Sequence, residues 1–248
     1  MPKQIVSEMQ WTQKELEALP MEKGFRMRGL ETTRLDTLID AAFAFVLSML
    51  VISQGQIPSS FDDLMVGIKS IPALAMSFWI LMLFWLSHRQ WSRRFGIESK
   101  SSIVLSISLV FSLLIYVYPL RILFELMFHG LSDGYFPRSF NIVNEKEVRG
   151  FFIFYAVGYL VMSLLIMCLQ YLAIKRTKSL ALSEFEHSVT KATCVRWLGS
   201  IFISVISIGI SCFAPVNLVP LAGYIFFIVL IVQIFEQGSI RRYKKRYA

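Results

Sequence analysis

Two carboxylates and an arginine stand at the foot of the chain's first apolar run. Arg34, Asp36 and Asp40 precede a stretch in which Thr37 and Ser48 are the other polar side chains up to Ile52. As a helix, residues 35–52 span about 27 Å, roughly the thickness of a bilayer core. An unpaired aspartate at the bilayer centre costs about 3 kcal/mol, so charge kept there points by default to function. The plain alternative puts Asp36 and Asp40 at interface depth, where the helix dipole welcomes negative charge at the N-terminus. Position alone leaves the two readings even.

Other chemistry is thinly supplied. The three histidines, His88, His129 and His187, have no zinc-motif spacing, and HExxH, Walker, GxSxG and GxGxxG motifs are absent. Cys168, Cys194 and Cys212 are odd in number and form no CxxC, which argues against a disulfide framework and a metal site. They read as small buried apolar residues. Asp36 and Asp40 with His88 are the only titratable candidates for a shared depth, so an enzyme is the minority reading. No cofactor is expected.

Composition sets the class. The chain has 248 residues, of which 55% are hydrophobic and 14% aromatic, and a mean hydropathy of +0.58. That is too apolar for a soluble domain of this size. After the first helix, apolar runs cover 71–87, 101–124, 151–174 and 197–235. The last would be about 58 Å long as one helix, too long for a single span. Pro215, Asn217 and Pro220 break it into a tight hairpin of two helices. Six spans result.

Charge orients them. With the N-terminus inside, segments 1–34, 88–100, 175–196 and 236–248 hold 20 of the 25 Lys and Arg residues. This is a strong positive-inside signal, so the net charge of +8 reads as cytoplasmic loops facing anionic lipid and not as a nucleic-acid surface. The basic tail with Arg241, Arg242, Lys244, Lys245 and Arg246 has the same reading. The first 30 residues are polar, with no signal-peptide core, so the first membrane helix is expected to stay as an anchor. Residues 15–34 read as a mixed-charge cytoplasmic arm. Two longer outer loops cover 54–70 and 127–147. In the first, residues 61–68 have a rough helical period suited to lying along the outer interface. The second carries Gly130, Gly134 and Pro137 and reads as irregular.

On a helical wheel the first helix divides into two faces. With Asp40 set at zero and about 100° per residue, Leu38, Phe45, Ser48, Met49 and Ile52 fall between roughly 80° and 180°. Asp40, Phe43, Ala44 and Leu47 occupy the opposite half, where small Ala44 lets a neighbouring helix approach and pair the carboxylate. A bulky apolar stripe on a membrane helix more often packs or meets lipid than lines a pore.

Three stretches resemble the transmembrane protein 175 family of endolysosomal and prokaryotic potassium channels. The family's first helix carries an Arg, three residues, then Phe-Ser-Asp and a small-residue, Phe/Ala/Ile-rich run. Here that reads Arg34, then Leu35-Asp36-Thr37, then Leu38-Ile39-Asp40, then Ala41-Ala42-Phe43-Ala44-Phe45. The second helix closes with Phe84-Trp85-Leu86-Ser87-His88-Arg89, like prokaryotic members, and the third carries Tyr116-Val117-Tyr118-Pro119. Two motif positions depart: its Phe is Leu38 and its Ser is Ile39, which removes one hydroxyl from the family's buried network. Arg89 stands where many relatives have a second His.

The resemblance implies an all-α integral membrane protein of six transmembrane helices, a homotetramer whose first helices line a central pore. Expected helices are about 34–53, 71–91, 101–126, 150–174, 195–213 and 217–236, within a channel domain 34–237. A cytoplasmic arm 1–33 precedes it and a basic tail 238–248 follows. K+ would be the permeant ion, passing a hydrophobic constriction at Phe45, Met49 and Ile52, with Ser48 offering a hydroxyl and no TVGYG filter. Arg34, Leu38, Asp40, Trp85 and His88 would form the network that holds the pore helix. Expected partners are further copies of the chain, the bilayer and monovalent cations, in a cell (plasma or inner) membrane with both termini cytoplasmic. The competing expectation is a non-conducting or proton-coupled protein on the same scaffold, using Asp40 and His88.

Overall fold

The computed structural model describes residues 11–52, 58–141 and 144–228. The chain opens with a short helix α1 (Gln13–Ala18) and a hairpin pairing β1 (Met21–Glu22) with β2 (Phe25–Arg26). The helices α2 (Arg34–Ile52), α3 (Phe61–Lys69), α4 (Ile71–Phe95), α5 (Lys100–Leu131), α6 (Glu145–Lys175), α7 (Glu184–Phe213) and α8 (Leu221–Tyr224) follow. Five of them, α2, α4, α5, α6 and α7, are long and apolar enough to cross a membrane. The chain is a multi-pass membrane protein.

The sixth expected span, about 217–236, runs out of the described residues. Its described part, Val216–Ile228, is a short apolar helical stretch that opens with a 3₁₀ turn at Val216–Leu218 and α8. The turn that starts it lies where the prolines stand: α7 ends at Phe213, Ala214 is extended, and Pro215 leads into the 3₁₀ turn. The basic tail 238–248 lies outside the described residues.

The long helices after α2 overrun their apolar runs because polar residues cap them beyond hydrocarbon. Ser183 and Glu186 close a capping box that starts α7 eleven residues before the expected position 195. Asn144 caps α6 through the Glu147 N–H, and Ser99 caps α5 through the Ser102 N–H. α4 continues to Phe95 and stops at Gly96, whose φ of 57° suits a residue without a side chain. Pro119 does not end α5, which runs on to Leu131. In a bilayer a freed carbonyl finds no water, so continuing the helix is cheaper than opening the backbone.

α6 packs between α5 and α7, while α2 sits at the edge against α4 and α5. Aromatic side chains fill the centre. Tyr116 lies 5.2 Å from Tyr155, and Phe84 lies 5.5 Å from Tyr159 and 5.6 Å from Trp197. Gly158 makes this possible, since a Cβ there would stand 2.5 Å from the Tyr116 ring. At the far end of α5, Arg121 pairs with buried Glu125 at 2.8 Å, and the Ser139 N–H donates to the same carboxylate at 3.0 Å. Part of the irregular second loop is thereby pinned to the bundle.

The arm preceding α2 is docked, which its mixed-charge sequence did not suggest. The Arg28 guanidinium donates to both Glu186 oxygens at 3.1 and 2.9 Å, with both side chains fully buried. It also donates to the Leu180 carbonyl at 2.8 Å, while the Arg26 N–H reaches Glu186 Oε1 at 2.7 Å. Backbone contact finishes the joint: the Gly29 N–H donates to the Arg93 carbonyl at 3.0 Å, one of the orphan acceptors at the end of α4. A side chain at Gly29 would stand 2.2 Å from the Ser92 carbonyl, so the approach requires glycine. Phe25 packs edge-on to Phe95 at 5.6 Å and lies under the Arg94 guanidinium at 4.6 Å.

Removing one partner of a buried ion pair strands the other charge, at a cost of about 3–5 kcal/mol. Arg28→Ala and Glu186→Ala should each lower the thermal midpoint of the solubilised protein sharply. Arg28→Met combined with Glu186→Leu should lose clearly less than the two single changes added together. A double variant that loses their full sum would show that the pair is not a coupled unit.

Candidate functional site

The foot of α2 is built by its own sequence. The Asp36 N–H donates to Thr33 Oγ1 at 3.1 Å, and the Thr33 N–H and hydroxyl donate to Asp36 Oδ2 at 3.2 and 3.0 Å. This reciprocal cap satisfies helix-start donors and sets the carboxylate at the positive end of the dipole. Its second oxygen reaches across: the Ser92 hydroxyl of α4 donates to Asp36 Oδ1 at 2.6 Å. One turn further along α2, Trp85 Nε1–H donates to Asp40 Oδ1 at 2.8 Å. Ser92 and Trp85 are seven residues apart on α4, and the order reverses relative to Asp36 and Asp40. The two bonds are rungs between antiparallel helices.

The same stretch of α4 is tied to the rest of the bundle. His88 Nε2 lies 2.9 Å from the Ser106 hydroxyl of α5, with the imidazole buried 6.1 Å from the Trp91 ring. Trp91 Nε1–H donates to the Leu169 carbonyl of α6 at 2.7 Å. The Arg89 guanidinium covers the Trp85 ring at 5.1 Å. Residues 85–92 therefore bond α2, α5 and α6 together. A cavity of about 20 Å³, room for roughly one water, is lined by Asp36, His88 and Ser92 among others.

Of the five residues expected to hold the pore helix, the structure brings Asp40 and Trp85 into direct contact. His88, one turn along the same side of α4, is bonded instead to Ser106 of α5. Arg34 is exposed and makes no hydrogen bond or ion pair among the described residues. Leu38 also points away from its own subunit, with 56% of its surface exposed. Ile39, at the motif's serine position, is buried in the core. An apolar side chain fills the place of the missing hydroxyl, so no polar group is stranded there. Sequence reading missed Ser92, Ser106 and the Leu169 carbonyl. Only the heptad spacing from Trp85 to Ser92, matched against Asp36 and Asp40, carried a signal for the first.

The expected pore stripe faces outward. Leu38, Phe45 and Ile52 recur every seven residues, and Phe45 and Ile52 are 59% and 74% exposed. Ser48 lies on this face and donates its proton to the Ala44 carbonyl at 3.0 Å, leaving oxygen lone pairs free toward the open side. Met49 is half-buried at the edge of the stripe and packs against the core. Phe43 is buried on the opposite face, and Leu47 packs beside it. Among the described residues, no group of three His, Cys, Asp or Glu side chains could hold a metal.

Comparison with known proteins bears out the resemblance read from the sequence. Residues 34–119 match the family model described as endosomal/lysosomal potassium channel TMEM175. That match begins at Arg34 and ends at Pro119, so it covers all three quoted stretches. The chain is 26% identical over 235 residues to a potassium channel of Marivirga tractuosa, covering 91% of this chain and 94% of that one. A crystal structure of a variant of the potassium channel MtTMEM175, solved with a nanobody–MBP fusion protein, superposes with a TM-score of 0.75. The superposition covers 90% of this chain and 99% of that one at 23% identity, which establishes the fold. The matched family is one of potassium channels and not of enzymes.

A hydrogen bond to a charged partner contributes on the order of 1 kcal/mol or more. Trp85→Phe keeps the ring and deletes the donor, so it should lower the melting point of the assembled protein in detergent. Asp40→Ala should lower it further and reduce the oligomer yield. The double variant should be no worse than Asp40→Ala alone. Additive losses would mean that the two residues act separately.

Proposed function

We propose that this chain, whose residues 34–119 match the TMEM175 family model, is a weakly potassium-selective, leak-type cation channel. Four copies set α2 around a common axis, and each contributes its outward stripe to the pore. The observation that carries this reading is the two-sidedness of α2. One side is bonded to α4 through Asp36 and Asp40, and the other leaves Leu38, Phe45 and Ile52 exposed among the described residues. A solvated or self-associated axis gives those side chains a neighbour. Small residues Ala41, Ala44 and Ser48 flank the stripe and permit close approach of adjacent copies. Arg34, turned outward at the helix foot, is placed to meet a neighbouring copy.

Selection without a TVGYG filter requires another barrier. The nearest echo, Val157-Gly158-Tyr159, lies inside α6, where Gly158 accommodates Tyr116. A ring of apolar side chains at Phe45, Met49 and Ile52 strips water from the ion, and K+ gives up its hydration more readily than Na+. Ser48 returns one oxygen to the partly dehydrated ion. The proton-coupled alternative finds less support, because Asp40 is engaged by Trp85 and His88 by Ser106 with no bond linking the two. We place the protein in the cell membrane with six spans and both termini cytoplasmic. A cysteine at position 248 that reacted only from outside would overturn this topology.

Shrinking the plug should wet it. In reconstituted vesicles, Phe45→Ala should raise cation flux several-fold and narrow the preference for K+ over Na+. Met49→Ala and Ile52→Ala should act in the same direction. Phe43→Ala and Leu47→Ala, behind the helix, should instead lower stability, by about 3–5 kcal/mol for the buried phenylalanine. Altered selectivity from the rear pair with an unchanged Phe45 face would sink the assignment.

A further inference from the structure

Helix α3 has no buried residue. Ser60 caps it, and Asp63 returns a bond to the Ser60 N–H at 3.0 Å and accepts the Ser59 hydroxyl at 2.7 Å. Those serines, Ser59 foremost, hold the Asp63 carboxyl below the usual carboxylate range. Phe61, Leu64, Met65 and Ile68 share one face about 100° wide. Asp62 and Asp63 lie on the other side with Val66 between them, and Lys69 flanks the apolar face. The helix is amphipathic, yet all four side chains of that face are exposed, Phe61 by 73% and Ile68 by 47%.

Two observations fix the level at which it lies. Ser70 alone separates α3 from Ile71, the first residue of the membrane-crossing α4. Lys69 Nζ stands 4.6 Å from the centre of the Tyr135 ring, which is itself exposed, and lysine and tyrosine collect where headgroups meet hydrocarbon. At about 1.5 Å per residue α3 is far too short to cross a bilayer. Its acidic pair outnumbers Lys69, so attraction to anionic lipid does not hold it.

We propose that α3 is an interfacial anchor, lying in the plane of the leaflet at the α3–α4 junction with Phe61, Leu64, Met65 and Ile68 among the upper acyl chains. Its partner is the lipid surface. The anchor secures the start of α4 on the side away from the Asp36 and Asp40 rungs, and it does so whether or not the pore conducts.

The full-length chain with Cys168, Cys194 and Cys212 replaced by alanine provides the background. An environment-sensitive fluorophore is attached at Met65→Cys, at Ile68→Cys and, on the polar face, at Asp62→Cys. Each is reconstituted in phosphatidylcholine vesicles with and without lipid carrying a nitroxide high on the acyl chain. Labels at 65 and 68 should lose most of their emission to the nitroxide lipid and resist aqueous iodide, while the label at 62 behaves in reverse. Equal iodide quenching at all three positions would overturn the proposal. So would labels at 65 and 68 shielded from both quenchers, with disulfide-linked dimers on oxidation, because a second copy would then cover the face.

Discussion

The arrangement of this bundle depends on which side of α2 is held. An α-helix in lipid has no hydrophobic drive to choose a rotation, since lipid tails and apolar side chains are equally comfortable neighbours. Polar bonds make the choice. From α4, the Ser92 hydroxyl and the Trp85 indole N–H seize Asp36 and Asp40, one turn apart on α2, and fix the helix's angle about its own axis. Ile39, Phe43, Val46 and Leu50 then face the core, and the remaining surface is left to other molecules.

The rungs would be weak if α4 were free to shift. It is not, because the segment that offers Trp85 and Ser92 also sends His88 to α5 and Trp91 to α6. The arm closes the structure from below, where the Gly29 N–H uses a spare carbonyl of α4 and Arg28 reaches the start of α7. α2 is therefore attached at its foot by side chains and, a few residues earlier, by backbone. Stiffness on one side of α2 and openness on the other arise from the same set of contacts.

Much of this was legible in the sequence, for physical reasons. Hydropathy marks spans because the bilayer demands them, and Pro215 with Pro220 marks the break after α7. The partnership of Asp40 and Trp85 followed from a family resemblance, and the apolar stripe from periodicity alone. Helix ends were less visible, since capping by Ser183 or Asn144 extends a helix where hydropathy has already fallen. The arm was opaque for a different reason. Arg28 and Glu186 lie 158 residues apart, and nothing local distinguishes an arginine that will be buried from one that faces water. The replacement of a serine by Ile39 looked like a loss in the sequence, and the fold shows a packed core position instead.

The distance along the chain between Arg28 and Glu186 also orders events in time. α2 leaves the ribosome first, but the acceptor for its arm lies at the start of the last long helix described. Until that helix is made, Arg28 lacks its counter-charge, and this half of the joint waits on the closure of a long loop. Domains fold as synthesis proceeds, and contacts between distant segments come last. A nascent chain can thus tie the foot of α2 to α4 early, but it closes the arm's buried ion pair only once α7 is made.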